Sequence, residues 1–351
     1  MKYSYPVRLL VLWTFPSDYL RQSLISAVAD GHRVLLVLHA TEEDLPPVDL
    51  NGIDVVLSSA DLRELVKSFN PDVILVAGWH VRIYRKFLAY YGTTAVRVIT
   101  FDAQWLGTVR QKIGRHVFKF AWRKYFDYAI IPGERQKQFA LRLGFEPNDV
   151  FFGSIPCNSE IFRPEPGPLG RENYFFMACR LAPEKGLDVA LQAHKLYSAS
   201  VESPWPLVIA GRGKYPQKAQ SGVIFAGILA PHDIGRQMRR ARAFVLASTY
   251  EPWGVVIHEA TSSGLPVIAS DACGSVGSLL LNGVNGLVAK TGDAKSLAVG
   301  MLSMSSLPED QWQQMSRASV NLSRRATSET WIRSVQQLYR VSQIKKSSGL
   351  C

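Results

Sequence analysis

The sequence predicts an α/β protein made of two Rossmann-like, doubly wound domains. Short β-branched runs alternate with segments of helical period along the 351 residues, a pattern typical of parallel sheets covered by helices. The alternation stops once, in residues 153–171, which contain four prolines and show no periodicity, and then starts again. A chain of this length also suits two domains. We therefore expect two sheets whose carboxyl edges face a central cleft, the usual ligand position in such folds.

The first half of the chain supplies the strands and helices of the first predicted domain. Its first strand, residues 7–13, is an apolar run that an arginine interrupts. This run is too short for a membrane span or a signal peptide. The predicted strands are 7–13, 33–39, 53–57, 72–77, 96–101 and 128–131. The predicted helices are 17–30, 60–69, 82–91, 110–126 and 133–143.

The second half repeats this alternation. The predicted strands are 174–178, 206–210, 223–226, 243–247, 266–270 and 286–289. The predicted helices are 185–199, 231–241, 255–264, 293–304, 309–323 and an amphipathic segment at 327–343 with Trp331, Val335, Leu338 and Val341 on one side. We assign residues 1–160 to the first domain, 161–172 to a linker, 173–325 to the second domain and 326–345 to a helix that crosses back to the first domain.

The segment from Ser248 to Asp271 is the most informative one. A predicted strand ends in a polar loop, a helix begins near Gly254, and two carboxylates, Glu251 and Glu259, lie eight residues apart. The N–H groups of Gly254, Val255 and Val256 would favour an anion such as a pyrophosphate at the helix start. Carboxylates beside that anion would instead accept hydrogen bonds from the hydroxyl groups of a ribose or a sugar.

This block resembles the group 1 (family 4) glycosyltransferases, which are retaining enzymes of the GT-B fold. The resemblance rests on E251-PWGVVIH-E259 and on the GLPVIASD and GVNGLV segments that follow it. It implies that Glu251 contacts the transferred sugar and that Glu259 binds the nucleotide ribose. It also implies that the first domain binds the acceptor and the second binds the nucleotide-sugar.

Three further blocks extend the resemblance. Arg180 and Lys185 lie at a strand–helix junction, where two cations can clamp a diphosphate and stabilise it as a leaving group. Gly211 and Gly213, in LVIAGRGK, would permit close backbone approach to the nucleotide. The backbone near Ile228 and Leu229 would read the edge of the base.

The first domain matches the family less closely. LWTFPSDYLR stands where relatives place a glycine-rich turn after the first strand, so Thr14 or its backbone would face the donor without glycine. Relatives often carry a histidine after the strand at 96–101, whereas this chain has Asp102 and Gln104 there. Trp79 and His80 form a second candidate pair on the acceptor side. Asp102 as the cap of a turn and His80 as a loop histidine are the structural alternatives.

The positive charge of the chain is concentrated in residues 82–142. The net charge is +11, and this segment holds 13 Lys and Arg against 3 Asp and Glu, a balance of +10. One explanation is basic residues on exposed helix faces with aromatic residues in the core. The other is that this face rests on an anionic membrane that presents a lipid-linked or envelope-glycan acceptor. Nucleic acid would also suit a basic chain, but no RNA- or DNA-binding motif occurs, so we expect no such partner.

These observations predict retaining, metal-independent transfer of a hexose from a nucleotide-sugar to a glycan. No cofactor or metal is expected, because fixed cations and amides would do the work of Mg²⁺. The four cysteines are scattered without a CxxC pair, so we expect a reduced, cytoplasmic compartment or the inner face of the membrane. An NDP-sugar 2-epimerase of the same fold, a basic nucleic-acid-binding protein and a non-catalytic scaffold are the alternatives. The sugar, the base, the acceptor and the oligomeric state are left open.

Overall fold

The structure is a computed structural model that divides into two units. It describes residues 6–14, 17–39, 52–57, 62–78, 80–91, 95–153, 155–164, 170–215 and 220–348. The N-terminal unit comprises Met1–Pro156 together with Ala326–Cys351, and the C-terminal unit comprises Cys157–Arg325. The division at Pro156 lies close to the expected end of the first domain at residue 160.

The N-terminal unit contains a parallel sheet in the order β3-β2-β1-β4-β5-β6-β7. Its strands are Arg8–Trp13 (β1), Arg33–Leu38 (β2), Asp54–Leu57 (β3), Val73–Ala77 (β4), Val96–Thr100 (β5), Tyr128–Ile131 (β6) and Val150–Phe152 (β7). The first six confirm the predicted strands. Strand β7 is not predicted from the sequence, because it has only three residues and directly follows a 3₁₀ turn at Pro147–Asp149.

The helices of this unit also follow the predicted order. They are Asp18–Ala29 (α1), Leu62–Phe69 (α2), Arg82–Tyr91 (α3), Val109–Val117 (α4) and Glu134–Arg142 (α5). The prediction of one continuous helix over 110–126 is wrong, because α4 passes into a π-helical turn at Phe118–Trp122 and then a 3₁₀ turn. Phe118 in the wide turn is fully buried and stacks on Phe126 at a centroid distance of 6.0 Å. Burial of this ring accounts for the departure from α-helical geometry.

The C-terminal unit contains a second parallel sheet in the order β10-β9-β8-β11-β12-β13. Its strands are Phe175–Ala178 (β8), Leu207–Ala210 (β9), Val223–Gly227 (β10), Ala243–Leu246 (β11), Val267–Ser270 (β12) and Gly286–Ala289 (β13). Its helices are Leu187–Ser198 (α6), Pro231–Arg240 (α7), Val255–Ser262 (α8), Ala294–Ser305 (α9) and Glu309–Ser323 (α10). These elements confirm the predicted ones to within one or two residues. The strand order reverses between β8 and β11, the switch point where such sheets bind ligands.

The last helix, Ser328–Ser347 (α11), belongs to the N-terminal unit. Its predicted apolar side faces the core, because Trp331, Val335 and Leu338 are buried in one cluster with strand residues such as Leu9. Val341 packs against the same cluster as a half-buried residue. The side chain of Ser334 also donates a hydrogen bond to the carbonyl of Phe152 in β7. The apolar period of the sequence thus predicts which side of α11 is buried.

Substitution of Leu338 by alanine should destabilise the N-terminal unit. Leu338 is fully buried, and removal of a buried leucine side chain costs about 2–5 kcal/mol through lost burial and a residual cavity. Urea-induced unfolding followed by circular dichroism measures this change. Ile344→Ala on the same helix is the matched control, because Ile344 is 65% exposed and its truncation should change the free energy of unfolding by only about 0.5 kcal/mol or less. Equal effects of the two substitutions would contradict the packing described for α11.

Candidate active site

The candidate active site lies at the switch point of the C-terminal sheet, where β8 and β11 run side by side. β8 leads through a 3₁₀ turn at Pro183–Lys185 into α6, and β11 leads through residues 247–254 into α8. Neighbouring parallel strands present their carboxyl ends at the same edge of the sheet. Where the strand order reverses, the loops that follow the two neighbouring strands flank a crevice. This topology alone brings the loop that carries Lys185 next to the loop that carries Glu251.

Lys185 and Glu251 form an ion pair at this position. The Lys185 Nζ atom lies 2.5 Å from Glu251 Oε2, and the two side chains are only 15% and 12% exposed. The hydroxyl of Ser248, which is fully buried, donates to the same carboxylate oxygen over 3.4 Å. Two residues that lie 66 positions apart and were predicted separately from the sequence are therefore in direct contact.

The turn that carries Lys185 is fixed against the end of β11. Gly186 has a φ of +65°, and a Cβ atom at this position would lie 2.1 Å from the carbonyl oxygen of Ala247. The N–H of Thr249 donates to the carbonyl of Glu184 over 2.8 Å. Only glycine permits this close approach of two backbones. The backbone thus positions Lys185 before any ligand binds.

The loop that carries Glu251 is fixed from its other side. The N–H groups of Gly274 and Ser275 donate to the carbonyls of Glu251 and Trp253, over 2.9 Å in each case. Gly254 is the N-cap of α8 with a φ of +91° and has no side chain to cap the helix. The first N–H groups of α8, including those of Val255 and Val256, have no acceptor within the helix. They offer a partial positive charge beside the Lys185–Glu251 pair.

Two buried polar side chains next to this helix start were not predicted from the sequence. The Ser275 hydroxyl and the Trp253 Nε1–H are both buried and have no hydrogen-bond partner among the residues that the structure describes. A Cβ atom on Gly254 would lie 3.6 Å from Ser275 Oγ. Buried polar groups normally find a partner. Ser248 and Ser275 carry no distinctive sequence pattern, so only the folded loop identifies them.

Arg180 and Glu259 lie outside the central ion pair. The guanidinium of Arg180 pairs with Glu184 at 2.5 Å, and its side chain is 68% exposed. An exposed pair of this kind contributes little to stability, so Arg180 can exchange Glu184 for another anion at small cost. Glu259 lies in the second turn of α8 and is half-buried.

The two predicted nucleotide-binding glycines have a structural role in this sheet. A Cβ atom on Gly211 would lie 1.8 Å from the carbonyl oxygen of Cys179, and one on Gly213 would lie 2.1 Å from that of Leu181. Both glycines therefore permit the chain after β9 to run against the chain after β8. Ile228 is 71% exposed and Leu229 is half-buried, just beyond the carboxyl end of β10.

Burial also sets the protonation state of the Cys179 thiol, which lies near Lys185 and Glu251. It raises the pKa of Cys179 to about 12, with the positive charge of Lys185 acting in the opposite direction. Cys179 is therefore a neutral thiol at ordinary pH, and the reactive thiolate form is suppressed. Among the described residues there is no group of three or more His, Cys, Asp and Glu side chains that could hold a metal ion.

On the N-terminal unit, the loop after β5 is held by side chains of α4 and α5. Gln104 is only 4% exposed, and its side-chain oxygen accepts a hydrogen bond from Arg135 over 3.3 Å. Gln111 donates to the Gln104 carbonyl over 2.8 Å, and Gln136 donates to the Asp102 carbonyl over 3.1 Å. Asp102 itself is half-buried. The buried Gln104 positions this loop, which leaves Asp102 as the better candidate for contact with a ligand.

The other candidate residues that the sequence predicts in the first domain are distributed along the same sheet edge. Thr14 follows β1 and lies beside the turn after β4, since a Cβ atom on Gly78 would lie 2.4 Å from its methyl group. His80 is exposed, and its carbonyl accepts a hydrogen bond from Arg85 over 2.8 Å. Trp79 lies outside the described residues. Burial, followed by the charge of Asp102, raises the pKa of Tyr19, which places this tyrosine near Asp102.

Two units, each with a parallel sheet flanked by helices, give the chain the GT-B fold, which is also the fold of solved glycosyltransferase structures. The family model described as glycosyl transferases group 1 matches residues 158–320. The C-terminal unit therefore belongs to the group 1 glycosyl transferases. This finding confirms the family that the sequence resembles. Among the helices that the structure describes, none combines the length and the hydropathy that a membrane span requires.

Individual relatives support this assignment. The chain is 29% identical over 161 residues to the O-antigen chain mannosyltransferase B of Escherichia coli, with 43% of this chain and 41% of that one covered. It is 31% identical over 160 residues to a GDP-mannose-dependent alpha-mannosyltransferase of Corynebacterium glutamicum, with 42% and 37% covered. It spans about two fifths of the length of these relatives. The Anabaena protein HepE in complex with UDP-glucose has a similar fold, with a TM-score of 0.68 at 16% identity over 95% of this chain and 99% of that one.

Proposed function

We propose that this protein is a retaining glycosyltransferase that moves a hexose from a nucleotide-sugar to a glycan of the cell envelope or to a lipid-linked glycan. The Lys185–Glu251 ion pair at the switch point carries the proposal. It combines a fixed cation for a phosphate with a fixed carboxylate for sugar hydroxyls. The first N–H groups of α8 add a second source of positive potential on the same loop.

Each residue near the pair has a proposed role in donor binding. Lys185, Arg180 and the start of α8 stabilise the diphosphate as negative charge develops on it. Glu251 accepts hydrogen bonds from the transferred sugar, and Glu259 accepts them from the ribose. Arg180 reaches the diphosphate by leaving Glu184, whose pairing with it is exposed. These fixed charges supply the stabilisation that a metal-dependent transferase takes from Mg²⁺, so we propose a metal-independent reaction.

The chemical step is a group transfer on one face of the sugar. The acceptor hydroxyl oxygen forms a bond to the anomeric carbon while the bond from that carbon to the phosphate oxygen breaks. The acceptor proton moves to the departing phosphate oxygen, so the products are the glycoside and a protonated nucleoside diphosphate. Reaction on the same face retains the configuration of the anomeric carbon. On the N-terminal unit, Asp102 faces the acceptor and Gln104 positions its loop.

The comparisons suggest which donors to test first. The two relatives described above are named for mannose transfer, one of them for GDP-mannose and one for the O-antigen chain. The solved HepE complex contains UDP-glucose. We propose GDP-mannose as the first candidate donor, because its support comes from sequence relatives of the donor-binding unit. UDP-glucose is the second candidate.

A thermal-shift panel tests donor binding without knowledge of the acceptor. We expect GDP or GDP-mannose at a concentration one hundred times its Kd to add about 2.7 kcal/mol to the free energy of unfolding by mass action. ADP and UDP at equal concentration serve as the matched comparison. The proposal requires stabilisation by at least one nucleoside diphosphate, and absence of a shift with all of them would contradict it. Conversion of a sugar nucleotide without any acceptor would instead identify an epimerase.

A further inference from the structure

Helix α4 and the turn after it expose an apolar stripe on the surface of the N-terminal unit. Val109, Ile113 and Val117 are spaced four residues apart and lie on one side of the helix. Their exposed fractions are 71%, 61% and 44%. Leu106 before the helix and Phe120 after it are 52% and 78% exposed. We call these five residues the α4 stripe.

The α4 stripe is not part of the core of the unit. None of the nine residues of α4 is buried, and the segment is fixed instead by Phe118 after its end and by Thr108, which caps its start. Large aliphatic and aromatic side chains that face solvent in one contiguous stripe usually mark a surface for a membrane or a partner. Their contribution to the stability of the fold is small, because most of their surface except that of Val117 stays exposed.

The charge around the stripe identifies the kind of surface that it fits. Residues 103–126 contain no Asp or Glu, and four of their basic residues are exposed, namely Arg110, Lys112, Lys119 and Lys124. Arg123 instead pairs with Asp149 and is only 22% exposed. At about 100° per residue, Arg110 lies on one side of the stripe and Lys112 lies on the other, while Lys119 lies in the π-helical turn that follows α4. A helix with an apolar stripe between two basic margins is the arrangement that binds in the plane of an anionic lipid bilayer.

The stripe continues directly from the loop on the acceptor side. Leu106 lies two residues after Gln104. The side chain of Gln111 in α4 donates a hydrogen bond to the carbonyl of Gln104. Gln111 also accepts a hydrogen bond from the N–H of Leu106 over 2.7 Å. The loop of Asp102 and the exposed stripe therefore form one connected, hydrogen-bonded segment of the N-terminal unit.

We propose that the α4 stripe inserts into the interface of an anionic lipid bilayer and that its basic margins bind the lipid headgroups. Binding in this orientation holds the loop of Asp102 at the membrane surface. The acceptor is then an amphiphilic, lipid-linked glycan presented at that surface, a statement that rests on the proposed glycosyl transfer. The membrane contact itself does not depend on the identity of the reaction.

Co-sedimentation with lipid vesicles tests the membrane contact. The full chain is mixed with vesicles of phosphatidylcholine alone or with 30% phosphatidylglycerol, a composition of about one anionic lipid in three. We expect sedimentation with the anionic vesicles and weaker sedimentation in 0.5 M salt, where the Debye length falls to about 4 Å. Ile113→Ser and Phe120→Ser combined should lower the partition coefficient roughly tenfold or more, because two apolar side chains no longer leave water.

Val299→Ser is the matched control for Ile113→Ser. Val299 on α9 is 62% exposed, against 61% for Ile113, and both changes replace a β-branched aliphatic residue by serine. The control should bind vesicles as the unmodified chain does. Wild-type sedimentation by the stripe variants, or no sedimentation of the unmodified chain with anionic vesicles, would overturn the proposal. Thermal stabilisation by GDP in the stripe variants reports on the donor site separately, so the two proposals fail independently.

Discussion

Replacement of Lys185 by alanine should reduce turnover by about 10²–10³-fold, as expected when one preorganised electrostatic group is removed from a leaving group. The side chain is only 15% exposed and already points at Glu251 over 2.5 Å, so little reorganisation is needed when the diphosphate forms. Release of nucleoside diphosphate from the donor that the thermal-shift panel identifies, in the presence of an acceptor, measures this change. Glu251→Ala should cause a loss of similar size.

The controls separate catalysis from folding. Lys195→Ala removes an exposed lysine from α6 and should leave turnover within about twofold, since exposed surface substitutions change little. Arg180→Ala should give a smaller loss than Lys185→Ala, because Arg180 is 68% exposed and paired with Glu184. Unfolding curves for each variant show whether the loss comes from the site. Turnover that survives in a folded Lys185→Ala variant would contradict the proposed role of the ion pair.

The sequence predicted most of the fold because hydrophobic periodicity is a local signal. Strands such as β8 and β9 are short, almost entirely buried apolar runs, and the chain alternates such runs with helical segments at regular intervals. The exceptions are elements that depend on tertiary contacts. The π-helical turn at Phe118–Trp122 forms because Phe118 enters a cluster with Phe126 and Phe145. No propensity of residues 110–126 signals that contact.

The sequence predicts individual residues of the candidate site but not the contacts between them. Spacing and resemblance identified Lys185 and Glu251 separately, whereas strand order brings them into contact across 66 residues. Close approach of a nucleotide to Gly211 stays a prediction, and the structure supplies a second reason for glycine there, because a Cβ atom would meet the carbonyl oxygen of Cys179. A glycine pattern cannot distinguish a neighbouring strand from a ligand, because both require the same absence of a side chain.

Composition predicts that residues 82–142 carry the positive charge of the chain, but it does not predict which apolar residues of this segment are exposed. Several aromatic residues of that segment are buried in the core, among them Tyr84 and Phe87. This agrees with the explanation that places basic residues on exposed helix faces and aromatic residues in the core. The exposed apolar residues are mostly aliphatic ones such as Val109 and Ile113. Their spacing of four was present in the sequence, but a helix with that period normally turns it toward the core. Only the folded unit shows that this face points outward.

The stability of the C-terminal unit should fall as the pH decreases from about 6.5 toward 4 through protonation of His258. This residue on α8 is fully buried, and burial lowers its pKa to about 4. The unfolded chain, with a histidine pKa near 6.5, then binds more protons than the folded chain in this window. The stabilisation by neutral His258 is fully present above about pH 6.5 and is lost as the pH falls through the pKa of the folded chain. The total loss in the free energy of unfolding is about 3 kcal/mol.

The contacts of His258 explain why its protonation should also affect the site. Its Nδ1 accepts the N–H of Cys157 over 3.0 Å, and its Nε2 pairs with the carbonyl of Ser323 over 2.9 Å. These partners lie at the two ends of the C-terminal unit, and the next residue along α8 is Glu259. A proton on Nδ1 would remove the acceptor for Cys157 and bury a charge. The start and the end of the unit would then lose their shared attachment to the helix that follows Glu251.

Urea unfolding at pH 7.5, 6.0, 5.0 and 4.5, compared between the unmodified chain and His258→Gln, measures this contribution. Glutamine does not titrate but offers one acceptor and one donor, so the variant should lose stability less steeply below about pH 6.5. His194→Gln is the control, because burial also lowers the pKa of His194 but its ring contacts Trp205 instead of α8. An unchanged pH dependence in His258→Gln would show that the buried imidazole does not couple protonation to the stability of α8.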